Sequence, residues 1–173
     1  MRRRERDLGS DPLDVATALR NLGDVLFQAG DYVRATAEFA RALSARQRYA
    51  GSDDADVAED LDHQALALTQ IGQHDQALSA SNRALSIWEK VPTVANMATA
   101  RTLTIRGRIW QRKGDYPKAR SDLQRALAIW QEVNTDHPES AATLMQFGMQ
   151  LVLEGDTSQA ERVLDFSNGL PDL

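Results

Sequence analysis

Apolar and small residues recur along the chain at intervals of three and four positions, which is the spacing of one face of an α-helix. The first two series are Leu19, Leu22, Gly23 and Leu26, and then Ala35, Phe39, Ala42 and Leu43. No stretch alternates with a period of two, so the pattern predicts helices and no β-strands. We predict eight helices, near residues 13–29, 32–49, 55–71, 74–91, 95–113, 116–133, 139–154 and 157–167.

The same pattern returns at an offset of 42 residues. Gly30 recurs as Gly72 and Gly114, and a fourth copy, shifted by one deleted residue, has Gly155. Neither helix of such a unit can bury its apolar face alone, so stacked units share a core. We therefore predict an all-α solenoid of about four antiparallel helix pairs. The predicted repeats lie near residues 15–56, 57–98, 99–139 and 140–167.

The two ends of the chain differ from the repeats. Residues 1–12 form a basic segment that resembles the end of a lost repeat, and residues 168–173 form a tail. The basic start is not followed by the apolar stretch of a secretory signal, and nowhere do about 18 apolar residues run together. We expect a cytoplasmic protein without a membrane span.

Turn chemistry supports the helix pairs. Glycine at the end of each first helix can adopt the left-handed conformation, and Asp31, Asp115 and Asp156 can then cap the second helix. The second unit has Gln73 instead and is predicted to lack this cap. Small residues at Gly23, Gly107 and their equivalents permit close helix contact.

The tryptophans follow the repeat as well. Trp88 and Trp130 lie 42 residues apart, and we expect both to pack on the first helix of the next unit. Trp110 takes the register of Leu26 and is expected to be interior, while Gln64 and Arg106 occupy the register of Leu22, where a partly polar face is expected.

A family resemblance rests on these residues. Leu19-Arg20-Asn21-Leu22-Gly23, Gly30-Asp31-Tyr32, Ala35, Phe39 and Ala42-Leu43 resemble the tetratricopeptide repeat, and the 42-residue unit with Asp136-His137-Pro138 resembles its kinesin-light-chain-like branch. The resemblance implies a right-handed superhelix whose first helices line a concave groove. It also implies a protein or peptide partner and, together with 17 Arg against 3 Lys, a bacterial source.

The helical period then selects the groove positions of each unit. In the first two units these are Thr17, Arg20, Asp24, Phe27 and Gln28, and then Glu59, Asp62, His63, Leu66, Thr69 and Gln70. In the last two they are Arg101, Thr104, Arg108, Gln111 and Arg112, and then Ala142, Met145, Met149, Val152 and Leu153. The predicted partner-binding residues are Arg20, Asp24, Asp62, His63, Arg101, Arg108, Arg112, Met145 and Met149.

Charge is distributed unevenly along this groove although the net formal charge is only −5. Residues 51–76 carry seven acidic and no basic side chains, whereas residues 99–133 carry eight basic and three acidic ones. Arg101, Arg108 and Arg112 are predicted to form one basic stripe. We expect the groove to hold an acidic segment with apolar anchors at Met145 and Met149, unless the charges serve only the register of neighbouring repeats.

Motifs of catalysis and cofactor binding are absent from the sequence. There is no cysteine, no glycine-rich phosphate loop and no GxSxG or HExxH motif, and the acidic run from Asp53 to Asp62 lacks the spacing of a calcium loop. The three histidines are too scattered for a metal site. We therefore expect no enzyme, no cofactor and no metal.

Two alternatives to groove binding remain open. The array could serve assembly, either as a spacer or by self-association through uncapped ends. RNA binding along the arginines of the third unit is a further hypothesis, which the acidic flanks and the lack of neighbouring aromatics disfavour. Under the groove-binding hypothesis itself, the module could be one part of a larger bacterial signalling regulator or scaffold.

Overall fold

A computed structural model describes residues 11–90, 95–133 and 138–164, without the side chains of residues 95, 96 and 164. Within these ranges the chain forms eight helices and no strand. They are α1 (Pro12–Gln28), α2 (Tyr32–Tyr49), α3 (Ala55–Gln70), α4 (His74–Trp88), α5 (Ala95–Lys113), α6 (Tyr116–Val133), α7 (Pro138–Leu153) and α8 (Thr157–Leu164). The helix prediction is confirmed, although α4 ends earlier than expected. Residues 1–10, His137 and the tail 168–173 lie outside the described residues.

The helices pair in order and the pairs stack. α1 packs on α2, α3 on α4, α5 on α6 and α7 on α8, while the first helices α1, α3, α5 and α7 contact one another in sequence. The pairs form the right-handed superhelical solenoid that the resemblance implies. The first helices therefore line its concave side. No described helix has the length and the hydrophobicity needed to cross a membrane.

Each hairpin closes with a glycine in the left-handed region, as predicted. Gly30 has φ +82°, and its N–H donates to Phe27 O at 3.0 Å while Asp31 N–H donates to Leu26 O at 2.9 Å. This pair of bonds satisfies carbonyls that the end of a helix leaves free. Asp31 then caps α2 by accepting a hydrogen bond from Arg34 N at 3.2 Å.

The second unit lacks the cap, which confirms the expectation for Gln73. No side-chain hydrogen bond closes the start of α4, yet Gln73 has φ −83° and ψ 59°, close to the φ −84° and ψ 68° of Asp31. The backbone of this turn is therefore the same, and only the side chain differs.

Two glycines permit the close helix contacts that the sequence predicts. A Cβ atom at Gly23 would lie 2.5 Å from Phe39 Cε1, and one at Gly107 would lie 2.8 Å from Leu123 Cγ. Both distances are shorter than van der Waals contact, so these helices could not approach as they do with a larger residue.

Equivalent residues of the second helices, one in each of the first three repeats, connect each helix pair to the next. They are Arg46, Trp88 and Trp130, which are all at most 2 % exposed. Trp130 Nε1 donates to Thr143 Oγ1 in α7 at 3.0 Å, and Trp88 packs in the core shared with α5. The expectation for both tryptophans is confirmed. In the first pair the equivalent Arg46 donates from Nε to Asp60 Oδ2 of α3 at 2.8 Å.

The register of Leu22 lies at the edge of its helix pair, where Arg106 contacts both the second helix of its own pair and the preceding pair. Leu22 is 44 % exposed, and Arg106 donates to both carboxylate oxygens of Asp122 at 2.7 Å and to Asn82 Oδ1 at 2.8 Å. The interior position expected for Trp110 is only partly reached. Its ring is half-buried, and Lys118 Nζ lies 4.4 Å from the ring centroid.

Candidate functional site

A pocket of about 290 Å³ opens on the concave side between α3, α5 and α7. Its lining residues are Glu59, Asp62, His63, Leu66, Arg101, Thr104, Ile105, Glu139, Ala142 and Thr143. Seven of these ten are groove positions that the helical period selects. Ile105, Glu139 and Thr143 are additional. Glu139 and Thr143 face the preceding first helix, an orientation that the period of a single helix does not reveal.

Asp62 forms the buried part of this pocket. Only 3 % of the residue is exposed, and burial raises the pKa of its carboxyl to about 7, although Thr102, Arg101 and Trp88 oppose the increase. Thr102 Oγ1 lies 2.7 Å from Asp62 Oδ2 and 3.0 Å from Ala98 O. The Thr102 hydroxyl donates to this carboxylate oxygen, and a donor favours the ionised form, so the bond acts against the effect of burial.

The other predicted residues of the first two units are held by neighbouring charges. Arg20 donates from Nη1 to Glu59 Oε2 at 2.6 Å and lies 3.7 Å from Asp60 Oδ1. His63 Nδ1 lies 3.7 Å from Asp24 Oδ1, and burial lowers the pKa of His63 while the Asp24 charge opposes that decrease. The charge of Arg20 is thus balanced within the fold.

The predicted basic stripe is divided in two. Arg101 lies beside the pocket, where Nη1 is 3.8 Å from Glu139 Oε1. Arg108 is half-buried and Arg112 is exposed, and neither has a hydrogen bond or an ion pair within the described part of the chain. Burial lowers the pKa of Arg108, and the charge of Arg112 lowers it further. These two cations therefore lie close together without a counter-charge.

Apolar side chains flank the two cations. Leu66, Arg108 and Met149 occupy the same register on α3, α5 and α7, so a line across the groove is apolar, basic and apolar. Met149 and Met145 are 48 % and 56 % exposed. Met145 of α7 is the repeat equivalent of Thr104 of α5. Thr104 is covered by the next first helix, α7, whereas no first helix follows α7 among the described residues to cover Met145.

Exposed apolar residues also lie on α1, at the other end of the array. Val15, Leu22 and Val25 are all more than two-fifths exposed, and Val25 reaches 62 %. In the next unit the equivalent residues Val57 and Ala67 are completely buried against the preceding pair. These α1 residues therefore form the face on which a preceding pair would stack.

No cluster of three or more carboxylate or imidazole groups within residues 11–90, 95–133 and 138–164 is arranged to bind a metal ion. The described ionisable groups of the concave side instead form pairs with neighbouring charges, apart from Asp62, which is bonded to Thr102, and from Arg108 and Arg112. The chemistry that this surface offers is thus hydrogen bonding, charge and apolar contact.

Comparisons with solved structures place the fold among known helical arrays. BtubC (BKLC) from P. vanneervenii is 18 % identical, with a TM-score of 0.74 over 94 % of this chain and 69 % of that one. A protein described as a P. anserina kinesin light chain with TPR-like repeats is 17 % identical, with a TM-score of 0.76 over 90 % of this chain and 74 % of that one. A Rap protein in complex with competence and sporulation factor is 19 % identical, with a TM-score of 0.80 over 89 % of this chain and 42 % of that one.

Comparison with curated protein sequences finds no match. The sequence model of a protein family does match, over residues 14–90 and 98–165, and its description is tetratricopeptide repeat. These two ranges include most of the chain and all but the outermost turns of the eight helices. The chain therefore belongs to the tetratricopeptide repeat family, as the pattern of its glycines, alanines and leucines indicates.

Proposed function

We propose that this protein is a non-enzymatic interaction module whose concave surface binds an acidic segment with apolar anchor residues. Tetratricopeptide repeats are generally non-enzymatic scaffolds for protein partners. The observation that carries the proposal is the pair Arg108 and Arg112, which has no counter-charge in the described part of the chain. An acidic group of a partner would supply that charge.

The flanking residues define the rest of the segment. Leu66 and Met149 lie on either side of Arg108 on adjacent first helices, whose axes are about 8–10 Å apart. Apolar side chains placed before and after an acidic residue would reach them. Methionine adapts to varied apolar partners because its side chain is unbranched and polarisable. The Rap protein, whose fold is similar, was solved in complex with competence and sporulation factor, and this supports a bound segment here.

The test uses a peptide array that includes acidic, neutral and basic sequences with and without leucine. We expect the acidic peptides that contain leucine to bind, and their affinity, measured by fluorescence anisotropy, to fall as salt rises. The double variant Arg108→Glu/Arg112→Glu should lose this binding while its circular dichroism stays helical. The matched control is Arg34→Glu/Arg125→Glu, which changes the net charge equally at exposed positions of α2 and α6. Unchanged affinity and salt dependence in the groove variant would reject the proposal.

Assembly through the array ends is the second candidate, and the exposed apolar faces of α1 and α7 favour it. Stacking between copies would cover Leu22 and Val25 of one copy with Met145 and Val152 of another. Light scattering after size-exclusion chromatography should then show a mass that rises with concentration, and Leu22→Glu/Val25→Glu should remove that rise. A wild-type protein that stays monomeric at every concentration excludes this function.

RNA binding gains no support from the arginines of α5. Arg106 is committed to Asp122 and Asn82, and Arg101 lies beside Glu139. Only two cations remain for a phosphate backbone, which is fewer than a typical nucleic-acid interface uses.

A further inference from the structure

Two cations of α5 lie close together on the concave side without a counter-charge among the described residues. Arg108 and Arg112 are four positions apart, so their side chains are neighbours on one face of the helix, and like charges at this spacing weaken a helix. The charge of Arg112 lowers the pKa of Arg108, as burial does, and no described carboxylate opposes these two effects. The pair therefore weakens the free chain, which is typical of a site whose charge a ligand completes.

The neighbouring first helices supply no negative charge at this level of the groove. The equivalent positions carry apolar or neutral side chains, namely Leu66 and Gln70 in α3 and Met149 and Leu153 in α7. Asp24 of α1 has the register of Arg108 but lies beside His63. Glu139 lies nearer the start of its helix, beside Arg101. The positive charge of the pair is therefore uncompensated on both sides.

An aromatic pair borders the two cations from the opposite side of the groove. Tyr32, at the start of α2, lies close enough to Arg108 that negative charge on its phenol would raise the pKa of the guanidinium. The ring of Tyr32 packs edge-on against Phe27, with 5.1 Å between the centroids. Among the described helices α5 contacts neither α1 nor α2. A ligand between the two sides would therefore meet two guanidinium groups and a phenol, which are all hydrogen-bond donors.

The chemical class that fits two adjacent guanidinium groups is a dianion. A carboxylate has one charge and balances only one of them. A phosphate monoester carries a charge of about −1.5 to −2 at neutral pH and has three acceptor oxygens, which the planar N–H forks of arginine bind in pairs. A nucleic-acid backbone has one charge per phosphate and needs a longer row of cations. The pair therefore matches a single phosphate monoester best.

We propose that Arg108 and Arg112 form a subsite for a phosphorylated Ser, Thr or Tyr side chain of the segment that the concave surface binds. The subsite rests on the proposed function for its biological ligand, but its chemistry is testable with a small phosphate ester alone. Acidic peptides that fail to bind while the ester binds would reject the proposed function and support the subsite. Acidic peptides that bind while the ester has no advantage over a monoanion would reject the subsite alone.

The experiment compares three probes that share an aromatic ring: phenyl phosphate, phenyl sulfate and benzoate. Phenyl sulfate has the shape of the phosphate but only one charge, and it stays a monoanion as the pH changes, so it controls for titration of the protein. Each probe is titrated into the full chain while the backbone amide and Nε–H signals of Arg108 and Arg112 are followed by nuclear magnetic resonance. We expect phenyl phosphate to bind roughly tenfold tighter than either monoanion at about pH 7.5.

The pH dependence identifies the charge that the subsite recognises. The second pKa of a phosphate monoester is about 6, so at about pH 5 the probe is mostly a monoanion and its advantage over phenyl sulfate should fall to about twofold or less. Equal affinities of phosphate and sulfate at about pH 7.5 would overturn the proposal. An advantage that persists unchanged at about pH 5 would do so as well.

Two variants locate the binding. Arg108→Leu/Arg112→Gln introduces the residues that α3 carries at the same register, so it should fold and lose the preference for phosphate. Arg34→Leu/Arg125→Gln makes the same changes at exposed positions of α2 and α6, and this matched control should bind as the wild type does. Arg112→Gln alone changes an exposed side chain and should weaken phenyl phosphate binding roughly fivefold. Wild-type affinity in Arg112→Gln, or an equal loss in the matched control, would contradict the proposal.

Discussion

At the scale of single residues, the junctions between repeats use different chemistry at the same register. Arg46 and Trp130 both donate an N–H group to the next first helix, but the acceptor is Asp60 in one junction and Thr143 in the other. Arg46 also donates to Asp56 Oδ2 at 2.6 Å. The donor and its acceptor are therefore matched, and an exchange of one alone should not be tolerated.

This matching can be measured with a double-mutant cycle. Arg46→Trp should destabilise the fold by about 3 kcal/mol, because it leaves the fully buried Asp60 without its closest cation. Adding Asp60→Thr recreates the pair of the third junction, and we expect it to recover about 1–3 kcal/mol in urea unfolding. Strictly additive effects of the two changes would show that the residues act independently.

Asp62 makes stability depend on pH. Its pKa is about 7 in the folded chain and 3.8 as the ordinary value, so between these values the folded state holds a proton that the unfolded state has released. The contribution of Asp62 to stability is therefore greatest at low pH and is lost as the pH rises toward 7. Asp62→Asn removes this titration. Its unfolding free energy should rise relative to the wild type between about pH 4 and about pH 7.

The comparison with wild type is needed because neighbouring groups also titrate. Burial raises the pKa of Asp60 to about 6, which acts in the same direction as Asp62, and lowers that of His63, which acts in the opposite direction. Both groups remain in the Asp62→Asn variant. Parallel pH profiles for the two proteins would show that Asp62 is not the source of the difference.

At the scale of single helices, the start of α4 shows that the backbone conformation of the turn does not depend on a capping side chain. Gln73 has the backbone conformation of the capping aspartates but makes no cap hydrogen bond. Gly72 still adopts φ +77°, so the left-handed glycine and helix packing are sufficient to form this turn. The helix thus begins at the same register without the cap that its counterparts have.

Restoring the cap should stabilise the protein. Gln73→Asp places a carboxylate where it can accept from the backbone of the first turn and where the helix dipole favours negative charge, which should add about 0.5–1 kcal/mol. Thermal and urea unfolding would measure the gain. Gln73→Ala is the control and should change little, since the wild-type side chain makes no cap. An aspartate variant no more stable than the alanine variant would refute the expectation.

At the scale of the whole molecule, stability is the sum of contacts between neighbouring pairs. The largest described core cluster joins α3, α4 and α5, whereas a smaller one joins α6, α7 and α8. The middle of the array has neighbours on both sides, while α8 contacts only α7 among the described helices. The array should therefore open from its C-terminal pair before its centre.

Hydrogen exchange tests this order. We expect the backbone amides of α3 and α5 to exchange slowest and those of α8 fastest, because local opening needs least energy where few apolar contacts are lost. Mass spectrometry after timed exchange would resolve the helices. Uniform protection along the array would instead mean that all the repeats unfold in one cooperative step.

The sequence by itself determined the helices, the glycine turns, the aspartate caps and the small residues at helix contacts. These features depend on local conformation and on the helical period, which a repeat at 42 residues reveals directly. The resemblance implied which helices face the groove, and seven of the ten pocket residues follow from it.

Only the tertiary structure decided which charges remain free. Arg101, Arg108 and Arg112 share one face of α5, but only Arg101 lies beside a carboxylate, because Glu139 begins the next first helix at that level. Asp62 is buried for a similar reason, since α5 covers it. Ion pairing and burial depend on the distance between helices that are remote in sequence, and the period of a single helix contains no information about that distance.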